Sequence, residues 1–180
     1  MEGKKEIKMN KGLPIKIAIL VLIVAVIVVI WFVKNNDKPP AMISDKPDFA
    51  LHVTEKLDLE KLKSYGLPIM IDFGADSCIP CKEMAPVLEK LNKKLHGKAI
   101  IKFVDVWKYP ELAQNYPISV IPTQVFFDKQ GNPYTPSNPQ ASQMNMYSLR
   151  NTNEHVFTTH EGGMTEEMIL AALKEMGLEE

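Results

Sequence analysis

The feature that most constrains this chain is a change of periodicity around a cysteine pair. Residues 68–75 (PIMIDFGA) form a nearly unbroken apolar run, the pattern of a strand buried on both faces. Residues 79–95 then set Met84, Val87, Leu88, Leu91 and Leu95 along one side of a helix. Between the two stands Cys78-Ile79-Pro80-Cys81, which holds both of the chain's 2 cysteines. The switch predicts a strand, a turn and a helix with both thiols in the first helical turn. At that spacing the thiols share a face and can close a small disulfide ring. The unpaired N–H groups and the dipole of a helix start stabilise a thiolate. Cys78 is therefore expected as the exposed nucleophile, and Cys81, one turn deeper, as the resolving thiol. Pro80 suits a first turn, where a missing N–H costs little.

Other uses of the pair fit less well. Structural zinc needs four ligands, and His52, His96, His155 and His160 are scattered with no second cysteine pair. A purely structural disulfide closing so short a loop would remove little entropy from the unfolded chain. Reversible thiol–disulfide exchange is the reading that remains. Asp72 lies six positions before Cys78, inside the apolar strand. Burying a carboxylate there is costly and should raise its pKa, which marks Asp72 as a buried acid/base.

Around this centre the pattern predicts strands over 49–54, 99–106, 123–128 and 154–160. Helices are expected from the N-cap Asp58 to about 64, over 110–116, and over 165–176 with Thr165 as cap. Pro86 should kink the helix that follows the cysteines. The order implies an α/β fold with a central mixed sheet flanked by helices. Residues 132–153, rich in Pro, Asn, Gln and Ser, are expected as an inserted loop.

The N-terminal part reads differently. Lys4, Lys5, Lys8, Lys11 and Lys16 precede an uncharged apolar run at 17–33. Such a run spans about 26 Å as a helix, close to the ~30 Å hydrocarbon core of a bilayer. It is long, lacks a small-residue cleavage pattern and has no following lipoprotein cysteine, so it reads as an uncleaved signal anchor. The lysine bias puts residues 1–16 in the cytoplasm and the rest outside. Residues 34–47 then read as a tether, and 48–180 as one domain. From Lys34 on, 16 basic and 20 acidic residues leave a formal charge of −4, which argues against a nucleic-acid surface.

From about 58 to 177 the chain resembles thioredoxins. The resemblance rests on IDFGADSCIPCKEMAP (71–86), VDV with PELA (104–113), YPISVIPT (116–123) and EGGMT (161–165), in that order. It implies a thioredoxin fold and protein-disulfide oxidoreductase activity with no cofactor. It also implies that Asp72 assists deprotonation of Cys81. Ile121 and Pro122 match the loop whose cis proline lies against the disulfide and pairs with substrate. Gly162 matches the small residue that opens the groove. The chain departs from the family at Gly74 and Ser77, where tryptophans are usual, at Phe103, where a lysine often pairs with the acid, and at Ile79 within the motif.

These readings combine into a single-pass membrane protein with an extracytoplasmic catalytic domain acting as a reductase. Its expected partners are disulfide-bearing envelope or secreted proteins and a membrane electron donor or acceptor. The rival is a non-catalytic copper-handling module using Cys78, Cys81 and a histidine or methionine; Met144, Met146, Met164, His155 and His160 are a candidate set, since thioethers and imidazoles suit copper(I). A further rival is a peptide-binding adaptor with incidental thiols.

Overall fold

Three consecutive apolar runs become strands that neighbour one another at the centre of a sheet, because only there can both faces of each run be covered. In the computed structural model, which describes Leu22 and residues 47–179, these are β2 (Ile69–Gly74), β3 (Ile100–Asp105) and β4 (Thr123–Phe127), buried at every position. Three shorter or half-buried strands complete the sheet: β1 (His52–Val53), β5 (Met144–Ser148) and β6 (His155–Glu161). The order across the sheet is β1-β3-β2-β4-β6-β5. β1 and β2 run parallel to β3, while β4 is antiparallel to both β2 and β6, and β5 to β6. The sheet is therefore mixed, as the sequence predicts.

Helices follow from local signals. α1 (Leu59–Lys63) starts at Asp58, whose side chain accepts the Lys61 N–H. α2 (Ile79–Lys94) starts at Cys78 and runs unbroken through Pro86. α3 (Glu166–Glu175) starts at Thr165, whose hydroxyl accepts the Met168 N–H at 3.3 Å. Residues of α2 and α3 pack on one face of the sheet, where Met84, Leu88, Leu91, Ile169 and Leu173 meet Met70, Ile101 and Phe126. The other face buries Ile69, Ile71, Phe73, Ile100, Val104 and Val125 with Phe49 and Leu62. Alternate residues of β2 thus enter opposite clusters, as the two-residue period of a strand requires.

The structure corrects three expectations. Residues 49–54 are not one strand: a 3-10 turn (Pro47–Phe49) precedes a two-residue β1. The Lys102 ammonium takes the Ala50 carbonyl at 2.6 Å and reaches the Pro47 carbonyl at 3.4 Å, so a side chain supplies donors there. The helix expected over 110–116 is a 3-10 turn (Pro110–Ala113). The insertion at 132–153 is not all loop, because Met144–Ser148 forms β5 on the sheet edge. Its approach is also packed: Tyr134 is buried, and its hydroxyl donates to Glu175 of α3 at 2.7 Å. The apolar run at 17–33 lies outside the described residues apart from Leu22; no helix among the described residues is long and apolar enough to cross a membrane.

Candidate active site

Cys78 stands where the chain leaves β2 and turns into α2. Its backbone is extended (φ −78°, ψ 127°) and its sulfur accepts the Cys81 N–H at 3.4 Å, so the cysteine itself caps the helix. A sulfur in that position receives an N–H bond and the positive end of the helix dipole together, both favouring a thiolate once the pair is reduced. The structure holds the oxidised pair, Cys78 and Cys81 joined as a disulfide with Cα atoms 5.2 Å apart.

The expected exposure of Cys78 needs correction. Cys78 is 9% exposed and Cys81 4%, while Ile79 between them is 73% exposed. Ala75 and Ile121 pack against the pair. The nucleophile assignment therefore rests on the helix terminus, not on open access.

The turn before Cys78 is held from β3. Asp105 accepts the Asp76 N–H at 3.1 Å through one oxygen, and the N–H groups of Trp107 and Lys108 at 3.0 and 3.1 Å through the other. Lys108 closes an ion pair onto Asp76. Burial pushes the Asp105 pKa up, but the three N–H donors outweigh it and hold the carboxyl below its usual range.

Ile121, Pro122 and Gly162 come together on the other side of the disulfide. The Ile121–Pro122 peptide is cis. The Ile121 carbonyl oxygen lies 3.9 Å from Cys78 Sγ. The Gly162 N–H donates to the Pro122 carbonyl at 2.8 Å. Gly162 has φ +98°, and a β-carbon there would meet nothing within 4 Å. The glycine thus answers a left-handed backbone and leaves the space beside the loop open.

Asp72 is fully buried under α2. Burial drives its carboxyl up to about 7, against the pull of one bond from the Gln124 amide to Oδ1 at 2.8 Å. Oδ2 has no hydrogen-bond partner among the described residues. Gly74 explains how the acid relates to the cysteines. A β-carbon at Gly74 would sit 3.2 Å from Cys81 Sγ, 3.4 Å from Asp72 Oδ2 and 2.9 Å from the Phe103 ring. The free oxygen and the deeper sulfur therefore flank one small gap, closed by an aromatic ring. A carboxylate with a pKa near neutrality beside a resolving thiol can take up that thiol's proton.

Reading the sequence for its motifs missed Gln124, and His160 entered only as a metal-ligand candidate. Gln124 is a polar residue inside an apolar strand, and buried polar groups require partners; that was the available signal. In the copper set Met144 is in register with His160, but each histidine has a protein partner. His155 Nε2 lies 3.0 Å from the Phe157 carbonyl and 2.8 Å from Thr158 Oγ1, while His160 Nδ1 is taken by Gln124.

A family model described as Thioredoxin matches residues 50–148. A thioredoxin-like protein of Synechocystis is 40% identical over 74 residues, which cover 41% of this chain and 70% of that protein. The thioredoxin of Rickettsia bellii is 33% identical over 78 residues, covering 43% and 74% of the two chains. Among solved structures, a mutant thioredoxin from Halobacterium salinarum superimposes with a TM-score of 0.51 at 23% identity, covering 76% of this chain and 97% of that one; this likeness shows the fold. The family match spans the strand, cysteine pair and helix described above, and the chain therefore belongs to the thioredoxin family, as a protein-disulfide oxidoreductase.

Proposed function

We propose that this chain is a membrane-anchored reductase of disulfides in extracytoplasmic proteins. The observation that carries the chemistry is Cys78 as helix cap, its sulfur on the Cys81 N–H and 3.9 Å from the Ile121 carbonyl. The reduced enzyme begins with the Cys78 thiolate attacking one sulfur of a substrate disulfide. A mixed disulfide forms and the first substrate thiolate leaves. Cys81 then gives its proton to Asp72 and attacks Cys78 Sγ. The Cys78–Cys81 disulfide closes, the second substrate thiolate leaves, and two electrons have passed from the dithiol to the substrate. The Ile121 and Pro122 carbonyls and Gly162 line the side on which an extended substrate segment would lie.

The anchor reading is supported by the lysine-flanked apolar run at 17–33, which would hold the domain outside the membrane on the 34–47 tether. Oxidising surroundings there would return the pair to its disulfide, so a membrane dithiol donor is the partner this direction requires. The test is insulin reduction with the full chain. Cys78→Ser should lower turnover by at least about a hundredfold, because a hydroxyl is a far weaker nucleophile than a thiolate at neutral pH. Retained turnover would remove Cys78 from the chemistry. Direction is tested by the reduction potential: about −270 mV, typical of thioredoxins, suits a reductant, and about −120 mV an oxidant.

A further inference from the structure

One residue from each of five strands falls in a single row across the sheet. Asp72 on β2 is in register with Phe103 on β3 and with Gln124 on β4. Gln124 is in register with His160 on β6, and His160 with Met144 on β5. The three polar members are fully or almost fully buried, at 0%, 0% and 2% exposure. Apolar Phe103 and Met144 flank them, and beyond Phe103 the register continues to the exposed His52 on β1, whose ring meets the Phe103 ring edge-on.

The hydrogen bonds along the row have a direction. Gln124 Nε2 donates to Asp72 Oδ1 at 2.8 Å and to the Gly162 carbonyl at 3.1 Å, with Met84 Sδ at 3.6 Å. With both amide hydrogens directed that way, Gln124 Oε1 is an acceptor, and His160 Nδ1, 2.9 Å away, must be its donor. That leaves His160 Nε2 as a bare acceptor, buried and without a hydrogen-bond partner among the described residues. Two unpartnered buried atoms in one row, Asp72 Oδ2 and His160 Nε2, are costly features in a packed core.

We propose that Gln124, oriented by His160, is a positioning residue for the exchange reaction, holding Asp72 with one carboxylate oxygen bound and the other free toward Cys81. Without His160 the amide has no donor for its oxygen. Turning over would aim that oxygen at the carboxylate and at the Gly162 carbonyl, where it repels both. Because the same amide holds Gly162, the row also ties the acid to the substrate side of the site.

Among the groups around Asp72, this bond is the one that opposes the effect of burial. From α2 it faces Cys81 across Gly74's gap; on the far side of Cys81 and Phe103 a small cavity, which both also line, carries His52, Asp76, Lys82 and Glu89. From β3 it faces Phe103; Lys102, paired with Ile71, is engaged by Pro47 and Ala50, and Asp105 by the turn before Cys78. From β6 the row presents His160, which burial keeps below its ordinary pKa and hence neutral at pH 7. A donated hydrogen bond favours the ionised carboxylate.

The inference rests on the acid role of Asp72 proposed above, and the test separates the two. The probe is the Asp72 carboxyl titration, followed by carbon-13 NMR in the oxidised full chain, where the cysteines do not titrate. Gln124→Met should raise the midpoint by about one pH unit. The resolving step should then slow about fivefold at pH 7 and recover near pH 9, as the ionised fraction dictates. His160→Leu should move the midpoint the same way by less, and His160→Gln, which keeps a donor, should restore it. If Gln124→Met does not fold, Gln124→Asn falls one methylene short of both partners and carries the same expectation. Midpoints that superimpose on wild type, whatever the melting temperature does, overturn the proposal. Equal resolving rates in Asp72→Asn and wild type would instead overturn the acid role and leave the titration result standing.

Discussion

Asp72 and Lys102 lie on adjacent strands, one register step apart, and both are buried. Their surroundings handle charge in opposite ways. Lys102 gives its ammonium to the Ala50 carbonyl at 2.6 Å and reaches the Pro47 carbonyl at 3.4 Å. Burial lowers its pKa to about 8, with the Asp48 charge resisting. Its partners are backbone oxygens just before β1, so the charge ties the start of the domain to the sheet. Asp72 has one donor and one empty oxygen, and burial takes it to about 7. A buried charge whose partners are backbone is structural. One left half-satisfied beside a reactive sulfur is poised to exchange a proton near neutrality.

The sharpest way to break that contrast is Asp72→Asn. The folded pKa of about 7 lies above the ordinary ~3.9 of an unfolded aspartate. The native state therefore holds the extra proton in that window, and stability falls as pH rises from about 4 to about 7, then stays low. Asp72→Asn should be more stable than wild type by about 2–4 kcal/mol at pH 8, the difference closing toward pH 4. Denaturant unfolding of the oxidised chain at each pH checks this, and a difference independent of pH would show that Asp72 is not held as described.

Lys102→Met gives the mirror image. Here the folded value, about 8, lies below the ordinary ~10.4, so the native state sheds its proton first and stability rises between those values. Over that window wild type should gain about 2–3 kcal/mol relative to Lys102→Met. No gain would mean that the ammonium is less enclosed than its two carbonyl partners imply.

The smallest effect concerns the gap. Gly74→Ala adds a methyl 2.9 Å from the Phe103 ring and between Asp72 Oδ2 and Cys81 Sγ. It should cost about 1–2 kcal/mol through overpacking and slow the resolving step. Phe103→Leu added to Gly74→Ala should recover the stability but not the rate. If both recover, the ring and not the gap matters.

Much of this protein was legible in its sequence because the signals are local. The apolar run at 68–75 became β2, the stripe from Met84 to Leu95 became α2, and Thr165 caps α3. The cysteine spacing and an acid six residues upstream sufficed to locate the reactive centre, since strand, turn and helix are neighbours along the chain. What lies across strands was not legible. The row from Phe103 to Met144 draws on residues far apart in sequence, and lateral register is set by which strands pair and by how the turns between them close. The same holds for β5, where prolines and polar residues at 133–143 read as loop, and only the open edge of β6 makes Met144–Ser148 a strand. The sequence by itself determined that a thiol pair would cap a helix and that a carboxylate would be buried behind it. Only the tertiary structure decided that Gln124 holds that carboxylate and that His160 holds Gln124, because hydrogen-bond partners in a sheet are chosen by register and not by distance along the chain.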